Sequence, residues 1–236
     1  MVLLACLALS AGCADPPSGP RARPADRTVD YLPGLQAEVY QPAAASASMP
    51  VVLLLPGGGW RTADPAGLRP LAAWLAARGV PAVTATYRVA DDAVRLPRSV
   101  ADIRCAAAFA AETTAVRASA PRPVVLLGHS SGAHLAAIAV LAPAAGRASC
   151  GRPRATFVGL VGLAGPYDLG PVADLAAPLV GAAPADDPAA WRTRAGRQPV
   201  HRQGSRSCSC TGRSTSSSRY GRRPAWAGRC VREVPT

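Results

Sequence analysis

Two kinds of apolar run alternate along the chain as far as Trp191. Pro50-Val51-Val52-Leu53-Leu54-Leu55 and Val124-Val125-Leu126-Leu127 are short and uninterrupted, the pattern of strands buried on both faces of a parallel sheet. Between them Leu68, Leu71, Ala72, Leu75 and Ala76 recur at helical spacing, and Gly79 ends that run. Val80 to Thr86 reads as a strand, and Val100, Ile103, Ala107 and Ala111 predict a helix over about Ser99–Arg117. Ala133 to Leu141 reads as a helix and Phe157 to Leu163 as a further strand. Ahead of all these, Gln36-Ala37-Glu38-Val39-Tyr40 alternates and stops at Pro42, so Thr28–Gln41 predicts an edge strand or hairpin. Strand and helix in regular turn predict an α/β domain over residues 28–191, a mostly parallel sheet with helices on both faces.

After Trp191 the pattern fails. Residues 192–236 contain no Leu, Ile, Phe or Met, and their apolar residues follow neither period, the composition of a disordered tail. That tail carries most of the formal net charge of +12: it holds 11 Arg against Glu233, whereas residues 1–191 hold 15 Arg and 13 acidic residues. The predicted domain is therefore nearly neutral, and nucleic acid is not expected as a partner. All 26 basic residues are Arg, a bias that fits a GC-rich coding sequence better than any recognition need.

Residues 2–12 form an uncharged apolar run ending at Cys13. It is too short to span a bilayer and suits a signal-peptide core. Leu9-Ser10-Ala11-Gly12-Cys13 resembles a bacterial lipobox, which makes Cys13 a candidate lipidation site and residues 14–27 a Pro/Arg/Ala-rich linker. No Lys or Arg precedes the core; a start upstream, or a cytosolic N-terminal helix, remains the alternative. The expectation is export, with membrane contact only through an N-terminal lipid anchor. Cys105 and Cys150 are the only cysteines between Asp15 and Arg192; in an exported chain they could form a disulfide, the alternative being two buried thiols.

The chemistry centres on Gly128-His129-Ser130-Ser131-Gly132. A hydroxyl is a poor nucleophile that needs a base and a set of oxyanion donors. Gly-x-Ser-x-Gly between a buried strand and a helix predicts a tight turn that projects Ser130 at the sheet's C-terminal edge. Gly57-Gly58-Gly59 follows an earlier strand, and consecutive glycines let backbone N–H groups converge on an anion. The N–H groups of Gly58, Gly59 and Ser131 are thus the candidate oxyanion hole. The triple glycine lacks the Lys-Ser/Thr ending of a P-loop, and neither a metal nor a cofactor is expected.

These motifs, with Pro56-Gly57-Gly58-Gly59-Trp60, Tyr87-Arg88, Asp102, His134-Leu135-Ala136 and Gly165-Pro166-Tyr167-Asp168-Leu169, resemble the α/β-hydrolase superfamily. The likeness is to bacterial carboxylesterases and lipases near the hormone-sensitive-lipase-like and feruloyl/acetylxylan-esterase-like groups. It implies the α/β-hydrolase fold, a small-molecule ester substrate and an acyl-enzyme on Ser130. Family members usually carry His where Pro56 stands, a loop-orienting position. His129 and His134 fit motif scaffolding better than a general base, because in this fold the acid and then the base follow the nucleophile.

Downstream of the motif lie Asp168, Asp174, Asp186, Asp187, Glu233 and His201. Asp168 comes one strand too early to be the triad acid, and no strand precedes His201 to fix it. The tail's codons suggest the reason. Read one base earlier, residues 207–220 permit Val-Leu-Leu-His-Gly-Glu-Val-Asp-Val-Val-Val-Pro-Val, which resembles the family's strand, His-Gly turn and acid-bearing loop. The expectation is a frameshift near residue 191, with the C-terminal strands and half the triad lost from this frame. Two readings follow: a serine hydrolase of carboxylic esters, and a catalytically inactive remnant with an incomplete triad.

Overall fold

The computed structural model describes residues 23–90, 94–116, 120–142 and 150–194. The alternating segment is a hairpin, β1 (Arg27–Leu32) and β2 (Leu35–Tyr40), turning through Gly34 at φ +74°. The uninterrupted apolar runs become β3 (Val51–Leu55) and β5 (Val124–His129), parallel neighbours at the centre of the sheet. β4 (Ala82–Ala85) lies parallel to β3 and antiparallel to β2, and β6 (Phe157–Leu163) lies parallel to β5. The order is β1-β2-β4-β3-β5-β6.

Side-chain alternation decides what each face buries. Val51, Leu53 and Leu55 share one core with Val83, Ala85, Val124 and Leu126, covered by α2 (Leu96–Thr113) and α3 (Ser131–Leu141). Val52 and Leu54 turn the other way, where Ala72, Ala73 and Ala76 of α1 (Arg69–Ala76) meet them. Helices therefore flank both faces, as expected. α4 (Ala173–Val180) and α5 (Pro188–Arg194) follow β6. Cys105 on α2 and Cys150 ahead of β6 are joined by a disulfide, their Cα atoms 6.0 Å apart. Two arginines close helix ends by donating to carbonyls that helical geometry leaves free. Arg104 reaches Ala139 O and Ala142 O, the latter at 2.7 Å, and buried Arg122 reaches Thr114 O, Ser46 O and Met49 O at 2.6 Å each.

Several boundaries differ from the sequence reading. α2 begins at Leu96 rather than Ser99, because Pro97 fits a helix's first turn, where no N–H is required. α3 begins at Ser131 rather than Ala133. The linker expected over 14–27 ends sooner: the Asp26 N–H donates to Val39 O at 2.8 Å, and its carboxylate accepts the Gln41 N–H at 2.6 Å. At the other end α5 runs past Trp191 to Arg194, with Trp191 Nε1 donating to Ala182 O at 2.8 Å. The apolar leader with Cys13, and the chain beyond 194 with His201, lie outside the described residues.

β6 departs most from the pattern of a fully buried parallel strand. Val158, Val161 and Leu163 are 57%, 37% and 42% exposed: Val161 and Leu163 flank Gly162, which faces α3, and so point the other way, and Val158 stands at the register shift between Phe157 and Gly159. The contrast is measurable. Leu126→Ala, in the sealed centre, is expected to cost about 3 kcal/mol, whereas Val158→Thr should shift stability by less than about 0.5 kcal/mol. Urea unfolding of the two variants checks it.

Candidate active site

Ser130 sits where β5 ends and α3 begins, at φ +50° and ψ −122°, a conformation that side-chain-bearing residues rarely adopt. Its neighbours make the turn possible. A Cβ at Gly128 would stand 2.5 Å from Ala133 N and Cα, and one at Gly132 would stand 2.4 Å from Pro56 O. Backbone bonds hold the corner: Ser130 N–H donates to Leu163 O at 2.8 Å, and Ser130 O accepts from Ala133 and His134 N–H at 2.9 and 3.2 Å.

The glycine loop lies directly against this turn. A Cβ at Gly57 would stand 3.0 Å from Ser130 Cβ and 2.9 Å from His129 Nδ1. Gly58, Gly59 and Trp60 follow at φ +142°, +59° and +60°. Only glycine fits at Gly58, where a Cβ would meet Thr62 O at 2.3 Å. Gly58 O takes the N–H groups of Arg61 and Thr62, and Trp60 O takes that of Ala90 at 2.7 Å. Among the described residues no hydrogen bond engages the N–H groups of Gly58, Gly59 or Ser131. Leu175 of α4 closes over the loop, with its methyls 3.5 Å from a Cβ at Gly59.

Beneath the loop the polar atoms are buried. Tyr87 OH donates to Pro56 O at 2.7 Å; burial pushes its pKa up to about 12, opposed by the Ser131 hydroxyl beside it. Among the described residues that Ser131 hydroxyl has no hydrogen bond of good geometry, and neither do Trp60 Nε1 or either His134 ring nitrogen. We read Ser131 Oγ as close to Tyr87 without a formed bond. Trp60 and His134 are 2% and 3% exposed and meet edge to face, ring centres 5.5 Å apart at 87°.

Burial lowers the His134 pKa from 6.5 to about 4, so the ring is neutral at physiological pH. Below pH 6.5 the unfolded chain takes up a proton that the folded ring refuses until about pH 4. The stability held above pH 6.5 is therefore lost as pH falls to 4, by about 3 kcal/mol. Urea unfolding of the native chain and of His134→Phe at pH 7 and pH 4 should show this extra acid loss in the native chain alone.

The structure thus brings together Ser130, Ser131 and the Gly57–Gly59 loop. It does not bring Asp168 to them: that residue is exposed, and its carboxylate accepts the Gly170 N–H at 3.0 Å. Asp102, from the same motif set, instead binds Arg88, accepting from its Nε at 2.8 Å and its backbone N–H at 3.1 Å. His129 is exposed against Gly57 and His134 is buried; they are the only imidazoles among the described residues. Leu175 carried no sequence signal, since its contact with Gly59 joins residues far apart in the chain. No metal-binding cluster occurs among the described residues, and no described helix is long and apolar enough to cross a membrane.

A mostly parallel sheet with a strained serine at the strand-to-helix corner defines an α/β-hydrolase of the esterase type. The chain belongs to the BD-FAE family, whose family model matches residues 37–175. Thermogutta terrifontis esterase 2, in a structure phosphoramylated by tabun, is similar at 25% identity and TM-score 0.54, over 68% of this chain and 63% of that one. The same esterase phosphorylated by paraoxon gives 25% identity and TM-score 0.51, over 61% and 58%. Its butyrate-bound form, at 22% identity and TM-score 0.54 over 70% and 66%, supports the fold alone. The chain thus spans less than two thirds of the esterase structures named first. No curated protein matches it.

Proposed function

We propose that the chain is built to cleave carboxylic esters through an acyl-enzyme on Ser130. Ser130 Oγ attacks the ester carbonyl carbon, and the N–H groups of Gly58, Gly59 and Ser131 receive the oxyanion. The alcohol leaves with the proton given up by the Ser130 hydroxyl, and water then adds to the acyl carbon, so that the acid departs and a proton returns to Ser130 Oγ. The observation that carries this reading is the glycine loop set against Ser130 with its amides uncommitted. Each such donor contributes about 3–4 kcal/mol to the transition state. The esterase neighbour's reaction with paraoxon and tabun is consistent with a nucleophile of this kind. A fluorophosphonate probe on the purified, folded chain tests it: labelling at Ser130 supports the reading.

A second reading is a hydrolase remnant that lacks its base and acid in this frame. Two observations favour it: among the described residues no imidazole hydrogen-bonds to the Ser130 hydroxyl, and β6 keeps three exposed apolar residues. Folded protein that the probe leaves unlabelled supports this reading. The codons around residue 191 test its cause, since a shifted frame would continue the hydrolase pattern through an acid to a His. Export with lipidation at Cys13 is a separate proposal, tested by fatty-acid labelling of the native chain and of Cys13→Ser.

A further inference from the structure

The glycine loop's amides serve the proposed chemistry only while the loop stays against Ser130, and the loop's own backbone resists that shape. Gly58, Gly59 and Trp60 all hold positive φ; two are glycines, but a tryptophan at φ +60° persists only where its surroundings dictate it. Those surroundings are the apolar core in which the indole is packed and two specific contacts. The Trp60 carbonyl accepts the Ala90 N–H. Its indole, 2% exposed with Nε1 unpartnered, meets His134 edge to face.

His134 is unusual in turn. It is 3% exposed, and among the described residues neither ring nitrogen has a hydrogen-bond partner to explain a polar ring at this depth. What it does contact is Trp60. Its own backbone N–H donates to Ser130 O at 3.2 Å, so one residue touches both the nucleophile's turn and the loop that faces it.

We infer that His134 is a positioning residue for the oxyanion loop: its ring braces Trp60, which holds Gly58 and Gly59 in register with Ser130. The ring acts by shape and edge-to-face contact rather than by proton transfer. The inference rests on Ser130 as the nucleophile only for its effect on rate; the bracing itself is independent of turnover.

The test reads the two separately. Amide hydrogen exchange is followed across residues 57–62, β3 and α2 in the native chain, in His134→Leu, which keeps volume but removes the ring, and in His134→Phe, which restores it. Trp60→Leu removes the same contact from the loop's side. The expected result is about tenfold faster exchange over 57–62 in both Leu variants, the scale of one lost aromatic pair. β3 and α2 keep their protection, and Phe returns the loop to native rates. Unchanged loop exchange, equal loosening of β3 and α2, or failure of Phe to rescue would each overturn the inference. Fluorophosphonate labelling rates are measured in parallel. Labelling that falls with loop protection and recovers in His134→Phe supports the inference; labelling that falls while the loop stays protected overturns it. Absence of labelling in every form, with the loop responding as expected, leaves the bracing supported and counts against Ser130 instead.

Discussion

Ser130→Ala is expected to abolish fluorophosphonate labelling and to lower any ester hydrolysis by about three orders of magnitude or more. The substitution removes one oxygen and little else: Ser130's N–H to Leu163 O and its carbonyl's two acceptances belong to the backbone. Alanine must still occupy φ +50°, a strain that serine already bears. Loss of labelling with an unchanged unfolding midpoint would therefore report the hydroxyl alone. Ser131→Ala is the control, because it keeps the N–H that the oxyanion needs; it should remain labelled. Labelling that survives in Ser130→Ala would move the nucleophile elsewhere.

The largest structural effect is expected at Gly132. A Cβ there would lie 2.4 Å from Pro56 O and 2.6 Å from Leu55 O, both backbone atoms at the end of a central strand. No rotamer relieves such a contact, so α3 must move away from β3. The penalty falls in the exceptional range of about 4 kcal/mol or more. The movement also carries Ser130 away from the glycine loop. Gly132→Ala should thus lose stability in urea and lose labelling in whatever fraction still folds. Gly67→Ala, where nothing lies within 4 Å, should do neither. A Gly132→Ala protein of native stability would show that the close approach of β3 and α3 is not required.

The alternation of apolar runs made most of this fold legible in advance, because a strand between two helical layers must be apolar on both faces. β3 and β5 satisfy that rule, and Ser130 could be found because Val124–Leu127 and the following helix supply the context its motif requires. β6 did not satisfy it. Phe157–Leu163 reads as apolar as β5, yet its exposure depends on which elements lie beside it, and no local pattern records that. Ends moved for local reasons that periodicity does not weigh: Pro97 opens α2, and the elbow starts α3 at Ser131. Asp102 shows the same limit, since nothing local pairs it with Arg88 rather than with catalysis.

The sequence by itself determined the alternating α/β order, the candidate nucleophile and the glycine loop, because each depends on residues adjacent in the chain. Only the tertiary structure decided that the loop lies against Ser130, that Leu175 covers Gly59 and that His134 turns inward to Trp60. Those contacts join segments separated by whole strands and helices. Side-chain identity sets what a residue can do, and packing alone sets what it touches.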